Sequence, residues 1–263
     1  MPENGSFYDY LGKIDAFNSS YIGGTKGRRK LLDKLSIQRT PEFKVLEVGA
    51  ATGYTSCHVA KEYGCSVTST DISEILVEKG RRRAEGLGSH NVKFRVADAM
   101  NLDFQDDTFD AVYGIAITGL LPEKLRALRE YIRVVKRGGV VGGLELFIRD
   151  EASPDVEAAI NLTMGKVVGS GTRVLKLDDW RRLIEESGLG DVEIDASYEN
   201  VFENPGVRLG TVLTYFKLVH YLITDSWFRS MFFEILELRK LVSETSGDMF
   251  NNMGYLIYTG RKN

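Results

Sequence analysis

Residues 43–56 have the sequence FKVLEVGAATGYTS, and this stretch decides the fold class. The apolar run over residues 44–48, interrupted only by Glu47, is typical of a strand buried on both faces of a parallel sheet. Small residues follow at 49–53, and a helix is predicted to begin at Tyr54. A strand, a small-residue turn and a helix start allow a ligand to approach the backbone closely, because glycine adopts unusual backbone angles and has no side chain.

The spacing of the turn distinguishes between ligand classes. A dinucleotide fingerprint beginning at Gly49 would need glycine at positions 51 and 54, which hold Ala51 and Tyr54. A phosphate-binding loop would need Gly-Lys-Ser/Thr, and this triplet does not follow. The turn alone therefore argues against NAD, FAD and nucleoside triphosphates. A tight strand–helix turn that binds no ligand stays open as the alternative.

Composition indicates an ordinary soluble globular chain. Of 263 residues, 43% are hydrophobic and 27% charged, and the net charge is 34 − 37 = −3 with a pI of about 5.8. This balance provides no overall attraction to nucleic acid, so we expect no nucleic-acid partner. The few cysteine and histidine residues argue against a structural zinc site, and we predict no metal.

Targeting signals are also missing from the sequence. The N-terminus lacks a basic segment followed by an apolar core, so no signal peptide is evident. No run of 18 uncharged apolar residues predicts a membrane span. Two cysteines, Cys57 and Cys65, fit a reducing compartment better than a disulfide scaffold, so we expect a cytoplasmic protein.

Predicted strands alternate with predicted helices along most of the chain. The strands are expected at 43–49, 66–70, 91–96, 109–115, 140–148, 192–198 and 253–259. The helices are expected at 26–35, 54–63, 74–84, 123–135, 154–168, 179–187, 205–224 and 226–245. This alternation predicts an α/β fold of βαβ units, with a mostly parallel sheet and helices on both faces.

Three acidic residues are expected to meet at one edge of this sheet. Glu47 lies near the end of the first strand, Asp71 follows the second strand and Asp98 follows the third. Ligands of such folds bind at the carboxyl ends of the strands. The three carboxylates are therefore candidates for one binding crevice, although each could instead cap a helix or form a surface ion pair.

The first predicted helix carries a basic run of Lys26, Arg28, Arg29 and Lys30. The simpler interpretation is a solvated helix face. The alternative is that one of these cations meets the carboxylate of an amino-acid-like ligand.

Five segments, taken in order, resemble the successive motifs of the class I S-adenosylmethionine (SAM)-dependent methyltransferases. The segments are VLEVGAATG (45–53), VTSTDIS (67–73), FRVADAMNLDF (94–104), FDAVYG (109–114) and VVKRGG (134–139). The first differs mildly from the common form, which has glycine where Ala51 stands. The resemblance covers about residues 20–148 and is closest to the small-molecule subgroup that includes ubiquinone/menaquinone- and arsenite-type enzymes. Arsenite chemistry needs several reactive thiols, and Cys57 and Cys65 do not meet that need.

The resemblance implies a Rossmann-like seven-stranded, mostly parallel sheet whose last strand is antiparallel, together with an α-helical insertion or cap. The implied organisation is an N-terminal cover segment (1–40), a SAM-binding domain (41–198 and 253–263) and a helical insertion (199–252). Residues 150–176 are expected to contribute to the cap.

The resemblance also assigns cofactor-binding residues. Gly49, Ala51 and Gly53 would place the backbone against the methionine part of SAM, and Glu47 would orient the turn or receive the amino group. Asp71 would accept both ribose hydroxyls, since a carboxylate offers two acceptor oxygens.

The adenine and amino-acid ends of SAM have further implied contacts. Ile72 would pack on the adenine ring, and Asp98 would accept from the adenine amino group with the Ala99 N–H nearby. Ile115 and Ala116, after the fourth strand, would lie beside the amino-acid part. Tyr21 resembles the N-terminal cover of related enzymes and would also contact the cofactor.

The implied reaction is transfer of the SAM methyl group to a small acceptor by in-line displacement, with S-adenosylhomocysteine (SAH) as product. The enzyme must align the acceptor and exclude water, and it needs a base only for acceptors that lose a proton early. Candidate bases are Tyr21, Glu145 and His220, each of which also has a structural interpretation.

The helical insertion predicts the chemistry of the acceptor. Residues 205–224 and 226–245 are rich in aromatic and aliphatic side chains, with charges that argue against membrane spans. They indicate a hydrophobic or aromatic acceptor; a helical cap core or a homodimer interface is the alternative, and a transient membrane contact is allowed.

Three other functions stay open. A SAM-binding regulatory or scaffold protein without methyl transfer is the main alternative. A nucleic-acid methyltransferase is disfavoured because the pI is acidic and no Asn/Asp-Pro-Pro-aromatic signature occurs. A nicotinamide oxidoreductase has the least support.

Overall fold

The computed structural model describes residues 22–168, 172–199, 220–246 and 249–263. The described residues form one seven-stranded sheet with helices on both of its faces. Within these ranges, every helix is too short or too polar to cross a membrane.

The strands and helices follow one another as the sequence predicts. The strands are β1 (Lys44–Val48), β2 (Ser66–Asp71), β3 (Val92–Val96), β4 (Phe109–Ile115), β5 (Val135–Ile148), β6 (Gly190–Ser197) and β7 (Met253–Arg261). The helices are α1 (Gly24–Lys34), α2 (Tyr54–Tyr63), α3 (Glu74–Gly86), α4 (Lys124–Val134), α5 (Pro154–Val168), α6 (Leu177–Ser187) and α7 (Ser226–Ser246). Short 3₁₀ turns cover Thr118–Leu120 and Met249–Asn252.

The strand order is β3-β2-β1-β4-β5-β7-β6. Strands β1 to β5 pair in parallel, whereas β7 runs antiparallel to both β5 and β6. The predicted seven-stranded, mostly parallel sheet with an antiparallel last strand is thus confirmed. Because β2 and β4 both flank β1, the chain reverses its direction of winding at β1, and a crevice opens there at the carboxyl ends of the strands.

Two apolar clusters, one on each face of the sheet, pack the helices against it. One cluster joins α1, α2 and α5 to the sheet, and the other joins α4 and α6. Val45, Leu46 and Val48 of β1 are at most 1% exposed. The apolar run predicted a strand buried on both faces, and β1 is buried in this way.

The beginning of β5 differs from the sequence-based expectation. Gly138 and Gly139 were expected to separate a helix from a strand starting at 140, but the helix ends at Val134 and Val135 already pairs with Phe109. Gly138 has φ +72°, so the strand bends there, and a Cβ on Gly139 would lie 2.8 Å from the Asp110 carbonyl oxygen. The two glycines therefore let the strand turn and approach β4 closely, rather than marking a loop.

Two helices begin two residues before the predicted positions 26 and 179. Helix α1 begins at Gly24, after Gly23, which has φ +64° and provides no side-chain cap. Helix α6 begins at Leu177, after Lys176, which provides no side-chain cap either. In contrast, α2 spans the predicted residues and ends at Gly64, and the Ser73 hydroxyl caps α3 by accepting from the Leu76 N–H.

The second helix of the predicted insertion is present as α7, which packs against α5. Within it Phe228 is fully buried, and its ring lies 5.9 Å from that of Tyr221 and 6.3 Å from that of Phe232. The first helix of the insertion falls on residues 205–219, outside the described residues, and only its expected end at 220–223 is seen as helix.

Candidate active site

The turn between β1 and α2 has three left-handed residues. Gly49, Ala51 and Gly53 have φ of +66°, +49° and +66°. The Ala50 N–H donates to the Thr70 carbonyl at 2.8 Å, and the Gly53 N–H donates to the Ala50 carbonyl at 2.8 Å. The turn is therefore fixed to β2 and folded back on itself. Ala51 adopts a conformation that favours glycine, which explains why glycine is common at this place in the motif.

The two glycines of the turn also have a packing reason. A Cβ on Gly49 would lie 2.5 Å from Cγ1 of Ile117, and a Cβ on Gly53 would lie 2.3 Å from Cε1 of Phe94. The sequence-based argument gave this space to a ligand. In the structure, side chains of Ile117 and Phe94 occupy the space that a Cβ would take, so the absence of a side chain at both glycines also serves packing.

Asp71 fixes the turn from the end of β2. Its Oδ2 accepts from the Ala51 N–H at 2.8 Å and its Oδ1 accepts from the Ser73 N–H at 3.0 Å, while the residue is 3% exposed. The next side chain, Ile72, is 67% exposed although it is large and apolar. A buried, oriented carboxylate beside an uncovered aliphatic side chain suits a ligand with both hydroxyl groups and an apolar ring.

Asp98 and Ala99 lie at the end of β3, in the next position along the same sheet edge. The Asp98 Oδ1 accepts from the Met100 N–H at 2.8 Å, and the Ala97 N–H donates to the Asp71 carbonyl at 3.0 Å. Asp98 is half-buried and Ala99 is 7% exposed. The segment after β3 is thus tied to Asp71, so the structure brings these predicted residues together.

Glu47 is buried below the turn instead of facing outward. It is 3% exposed, and its Oε2 accepts from the Ser56 hydroxyl in the first turn of α2. Burial raises the pKa of Glu47 to about 7, and the Ser56 hydrogen bond and the Arg28 charge oppose this rise. Of the two roles expected for Glu47, this geometry suits orientation of the turn.

Ile115 is the last residue of β4 and Ala116 begins the loop after it; both are half-buried at the same edge of the sheet. Ala116 has φ +54°, and its N–H donates to the Leu144 carbonyl at 2.8 Å. This loop turns the chain so that Ile117 lies over Gly49. The two predicted contact residues therefore stand next to the turn of β1.

Glu145, another of the candidate bases, accepts hydrogen bonds from the segment that follows β4. Its Oε1 accepts from the N–H groups of Ile117 (3.4 Å) and Thr118 (2.9 Å), and its Oε2 accepts from that of Gly119 (3.1 Å). The residue is 1% exposed, and burial raises its pKa to about 7 against these hydrogen bonds. Glu145 thus caps the 3₁₀ turn that follows the cofactor-side loop.

The other two candidate bases are less constrained. His220 is exposed, and its ring lies edge-on to that of Tyr221 with centroids 5.4 Å apart. Tyr21 lies outside the described residues. Within the described residues, no contact joins His220 to Asp71 or to the turn.

Sequence reasoning missed a pair of guanidinium groups at the turn. Arg28 of α1 and Arg83 of α3 lie 5.1 Å and 5.5 Å from the ring centroid of Tyr54, the first residue of α2. Arg83 Nη2 also donates to the Thr52 hydroxyl at 3.3 Å. The only sequence signal was the basic run of α1, which does not indicate which cation turns inward.

Cavities and metal ligands add two negative results for the described part of the chain. A groove of about 1080 Å³ lies between α4 and α6, and none of the predicted site residues lines it. A pocket of about 10 Å³ beside Ala116 and Glu145 has room for little more than one water molecule. Among the residues that are described, no three His, Cys, Asp or Glu side chains cluster as a metal site.

Comparisons with known proteins identify the class that this sheet and edge define. Residues 45–139 match the model of a methyltransferase domain family. Methyltransferase GfsG of Streptomyces halstedii is 30% identical over 204 residues, which cover 76% of this chain and 71% of that protein. A sterol 24-C-methyltransferase of Yarrowia lipolytica is 29% identical over 201 residues, which cover 73% of this chain but 51% of that protein.

Solved structures show the same fold. The [4+2]-cyclase SpnF superposes with a TM-score of 0.72 at 20% identity, covering 97% of this chain and 93% of that chain. The family match, the relatives and the strand order agree, and the chain belongs to the class I SAM-dependent methyltransferases. The resemblance inferred from the motifs is therefore confirmed.

Proposed function

We propose that this chain binds SAM along the carboxyl ends of β1 to β4 and transfers its methyl group to a small apolar acceptor. When bound, SAM supplies a methyl carbon on a positively charged sulfur, and the product is SAH. The observation that carries the proposal is the exposed Ile72 next to the buried, oriented Asp71.

The cofactor site is supported by groups that are already ordered. Asp71 is held by two backbone N–H groups, so a ribose would meet a carboxylate whose orientation costs no further ordering. Ile72 and the Ala99 backbone provide an apolar side and a donor for the adenine. The left-handed backbone at Gly49 and Ala51 leaves the turn open to the methionine part.

The apolar acceptor is supported by the surroundings of the β4 edge. Ile115, Ala159 and Met164 are half-buried and pack on the same large apolar cluster, which extends from the end of β4 to helix α5. Helix α7 adds Phe228 and Phe232 against α5. One relative is named a sterol 24-C-methyltransferase, and this name supports a hydrophobic acceptor.

For methyl transfer, these residues must align the acceptor with the methyl group and exclude water. Loop 115–119 is held by Glu145, so Ile115 and Ala116 keep a fixed position beside the reacting centre. The apolar side chains of α5 keep water from the acceptor. Tyr21, Glu145 and His220 stay proposals as bases for acceptors that must lose a proton.

The test is incubation of the purified protein with methyl-labelled SAM and fractionated lipid and metabolite extracts. We expect label in an apolar fraction. The Ile72→Ala variant should bind SAH several-fold more weakly, because an aliphatic contact of one side chain contributes about 1–2 kcal/mol. The matched control is Leu87→Ala, which removes a side chain that is 59% exposed at the end of α3. No transfer to any fraction, or equal SAH affinity in both variants, would refute the proposal.

The same experiment distinguishes a methyltransferase from a SAM-binding protein that transfers no methyl group. SpnF is named a cyclase although it shares this fold, so the fold alone does not determine the reaction. Tight SAH binding without label transfer would favour the regulatory or scaffold function.

We further propose a cytoplasmic location and a homodimer that forms through the insertion. Two buried free thiols, Cys57 and Cys65, support a reducing compartment. The exposed side chains of Ile223 (70%), Phe233 (54%) and Leu236 (41%) support a surface for a second copy or for a transient membrane contact. Light scattering and vesicle sedimentation distinguish the two.

A further inference from the structure

The segment after β4, residues 116–121, is held at both of its ends. At its start, Glu145 accepts from two N–H groups of the 3₁₀ turn at 2.9 and 3.1 Å. At its end, the Nζ atom of Lys124 donates to the Leu121 carbonyl at 2.7 Å. Segment 116–121 therefore lies between a carboxyl group from β5 and an ammonium group from α4.

Lys124 occupies a place that is unfavourable for a cation. It is 8% exposed, and it is costly to take an ammonium group out of water. It is also the first residue of α4, where the helix dipole disfavours positive charge. Burial lowers the pKa of Lys124 to about 8, the charge of Glu145 opposes this fall, and that of Arg173 adds to it. A residue that breaks these local rules indicates a function for its charge.

Glu145 is the anionic group that acts on Lys124. Among the described residues Lys124 forms no direct ion pair, and the two side chains bond to opposite ends of segment 116–121 rather than to each other. Because opposite charges attract, each side chain favours the ionised form of the other. An ionised carboxyl group accepts hydrogen bonds more strongly than a neutral one. Lys124 can therefore strengthen the contacts of Glu145 in addition to making one of its own.

The position of segment 116–121 bears on the proposed cofactor site. Ile117 lies over the turn that follows β1, where a Cβ on Gly49 would be 2.5 Å from its Cγ1 atom. A displacement of the segment would therefore move Ile117 relative to the backbone that we propose for the methionine part of SAM. Contacts that fix the segment before SAM binds reduce the cost of ordering it.

We propose that Lys124 is a positioning residue of the cofactor site, which acts through Glu145 and segment 116–121 without contacting SAM. The inference rests on the proposed function, since it takes SAM to lie beside this segment. It gives a role to a lysine that none of the five motifs includes. The alternative is a packing role, because Lys124 also lines the groove between α4 and α6.

The test is a double-mutant cycle in which calorimetry measures SAH affinity. Lys124→Met keeps an unbranched side chain but loses the ammonium group, so SAH should bind roughly 10-fold more weakly. Lys124→Arg keeps a charged donor and should retain most of the affinity. In a Glu145→Gln background, Lys124→Met should weaken SAH binding by less than about threefold, because the charge on which Lys124 acts is already absent.

The matched control is Arg129→Met, which removes an exposed cation from the same helix and the same groove. It should leave SAH affinity unchanged. Equal weakening by Lys124→Met in both backgrounds would show that Lys124 does not act through Glu145, and unchanged SAH affinity with a lower unfolding free energy would assign it a packing role. Either result would overturn the inference. If the wild-type protein bound no SAH, the proposed function would fall and the inference with it. Circular dichroism confirms that each variant is folded.

Discussion

Glu47 and Glu145 are buried carboxyl groups, and burial raises the pKa of each to about 7. Their usual pKa in an unfolded chain is about 4.3. The fold therefore favours the neutral acid, so each group contributes stability that is full below about pH 4.3 and is lost as pH rises towards 7. This is opposite in sign to a carboxylate that forms a surface ion pair.

Glu47→Gln should remove part of this pH dependence. The amide keeps an acceptor for the Ser56 hydroxyl but cannot ionise, so its unfolding free energy relative to wild type should increase from pH 5 to pH 8. The full effect is on the order of 3 kcal/mol for a pKa shift of this size. Urea unfolding at several pH values measures it. Glu85→Gln, at an exposed position of α3, is the control, and parallel curves for Glu47→Gln and wild type would contradict the prediction.

Gly53 shows how one residue combines two constraints. It has φ +66°, and a Cβ would lie 2.3 Å from the buried ring of Phe94. Gly64 has nearly the same backbone conformation, φ +68°, with nothing within 4 Å of a Cβ. The pair separates the backbone cost of a left-handed residue from the cost of overpacking.

Gly64→Ala should reduce the free energy of unfolding by about 1 kcal/mol, the backbone cost alone. Gly53→Ala should reduce it by about 2–4 kcal/mol, because strain against Phe94 adds to that cost. Denaturant unfolding of the two variants measures the difference. Equal losses would show that the Phe94 ring moves aside without strain.

At the scale of elements, the 3₁₀ turn at Thr118–Leu120 depends on a side chain from another strand. Glu145 of β5 receives three N–H groups at the start of this turn. The hydroxyls of Thr118, Tyr131 and Tyr258 are buried close to this carboxyl group. The loop proposed to contact the cofactor is thus held by one carboxyl group in a buried polar environment.

Glu145→Ala should lower the unfolding free energy by about 3 kcal/mol, since it leaves buried N–H groups without acceptors. Glu145→Gln keeps one acceptor oxygen, so its loss should be smaller, and SAH should bind both variants more weakly than wild type. Unfolding curves and calorimetry check this. If Glu145 acted as a base, Glu145→Gln would instead lose at least about 100-fold in kcat with stability and SAH affinity intact.

Helices and strands were predictable where the signal is local. The limits of α2 and β4 agree with the sequence, because Gly64 stops the helix and a continuous apolar run makes the strand. The start of β5 was not predictable, because Val135 does not continue the helix but pairs with Phe109, a residue 26 positions earlier. Local propensity carries no information about such a pairing.

At the scale of the whole molecule, the proposed acceptor surface would be formed by α5, α7 and the carboxyl end of β4. In α7, Phe232 is half-buried and packs on Phe228, whereas the neighbouring Phe233 is 54% exposed. The two phenylalanines differ mainly in which side of the helix they occupy. They are therefore a matched pair for testing whether the cap contributes to acceptor binding.

With the acceptor found by label transfer, Phe232→Ala should raise KM for that acceptor by about 10-fold, since an aromatic side chain leaves the apolar surface. Phe233→Ala should change KM by less than about twofold, and neither variant should alter SAH affinity. Steady-state kinetics and calorimetry make the comparison. Unchanged KM in both variants would assign α7 to the cap core or to an interface.

The sequence by itself determined the fold class, the order of the seven strands along the chain and the cofactor class. These follow from local periodicity and from five ordered motifs, each readable within a dozen residues. Asp71, Ile72 and Asp98 were predictable for the same reason, because each directly follows a strand whose end defines the sheet edge.

Only the tertiary structure decided what the buried charges contact. Arg28 and Lys30 are two residues apart in one basic run, yet Arg28 packs on Tyr54 and Lys30 pairs with Asp195. Glu145 finds its partners about 27 positions earlier in the chain. Burial and charge pairing depend on which elements pack together, and that choice is made by the whole core rather than by any one stretch of sequence.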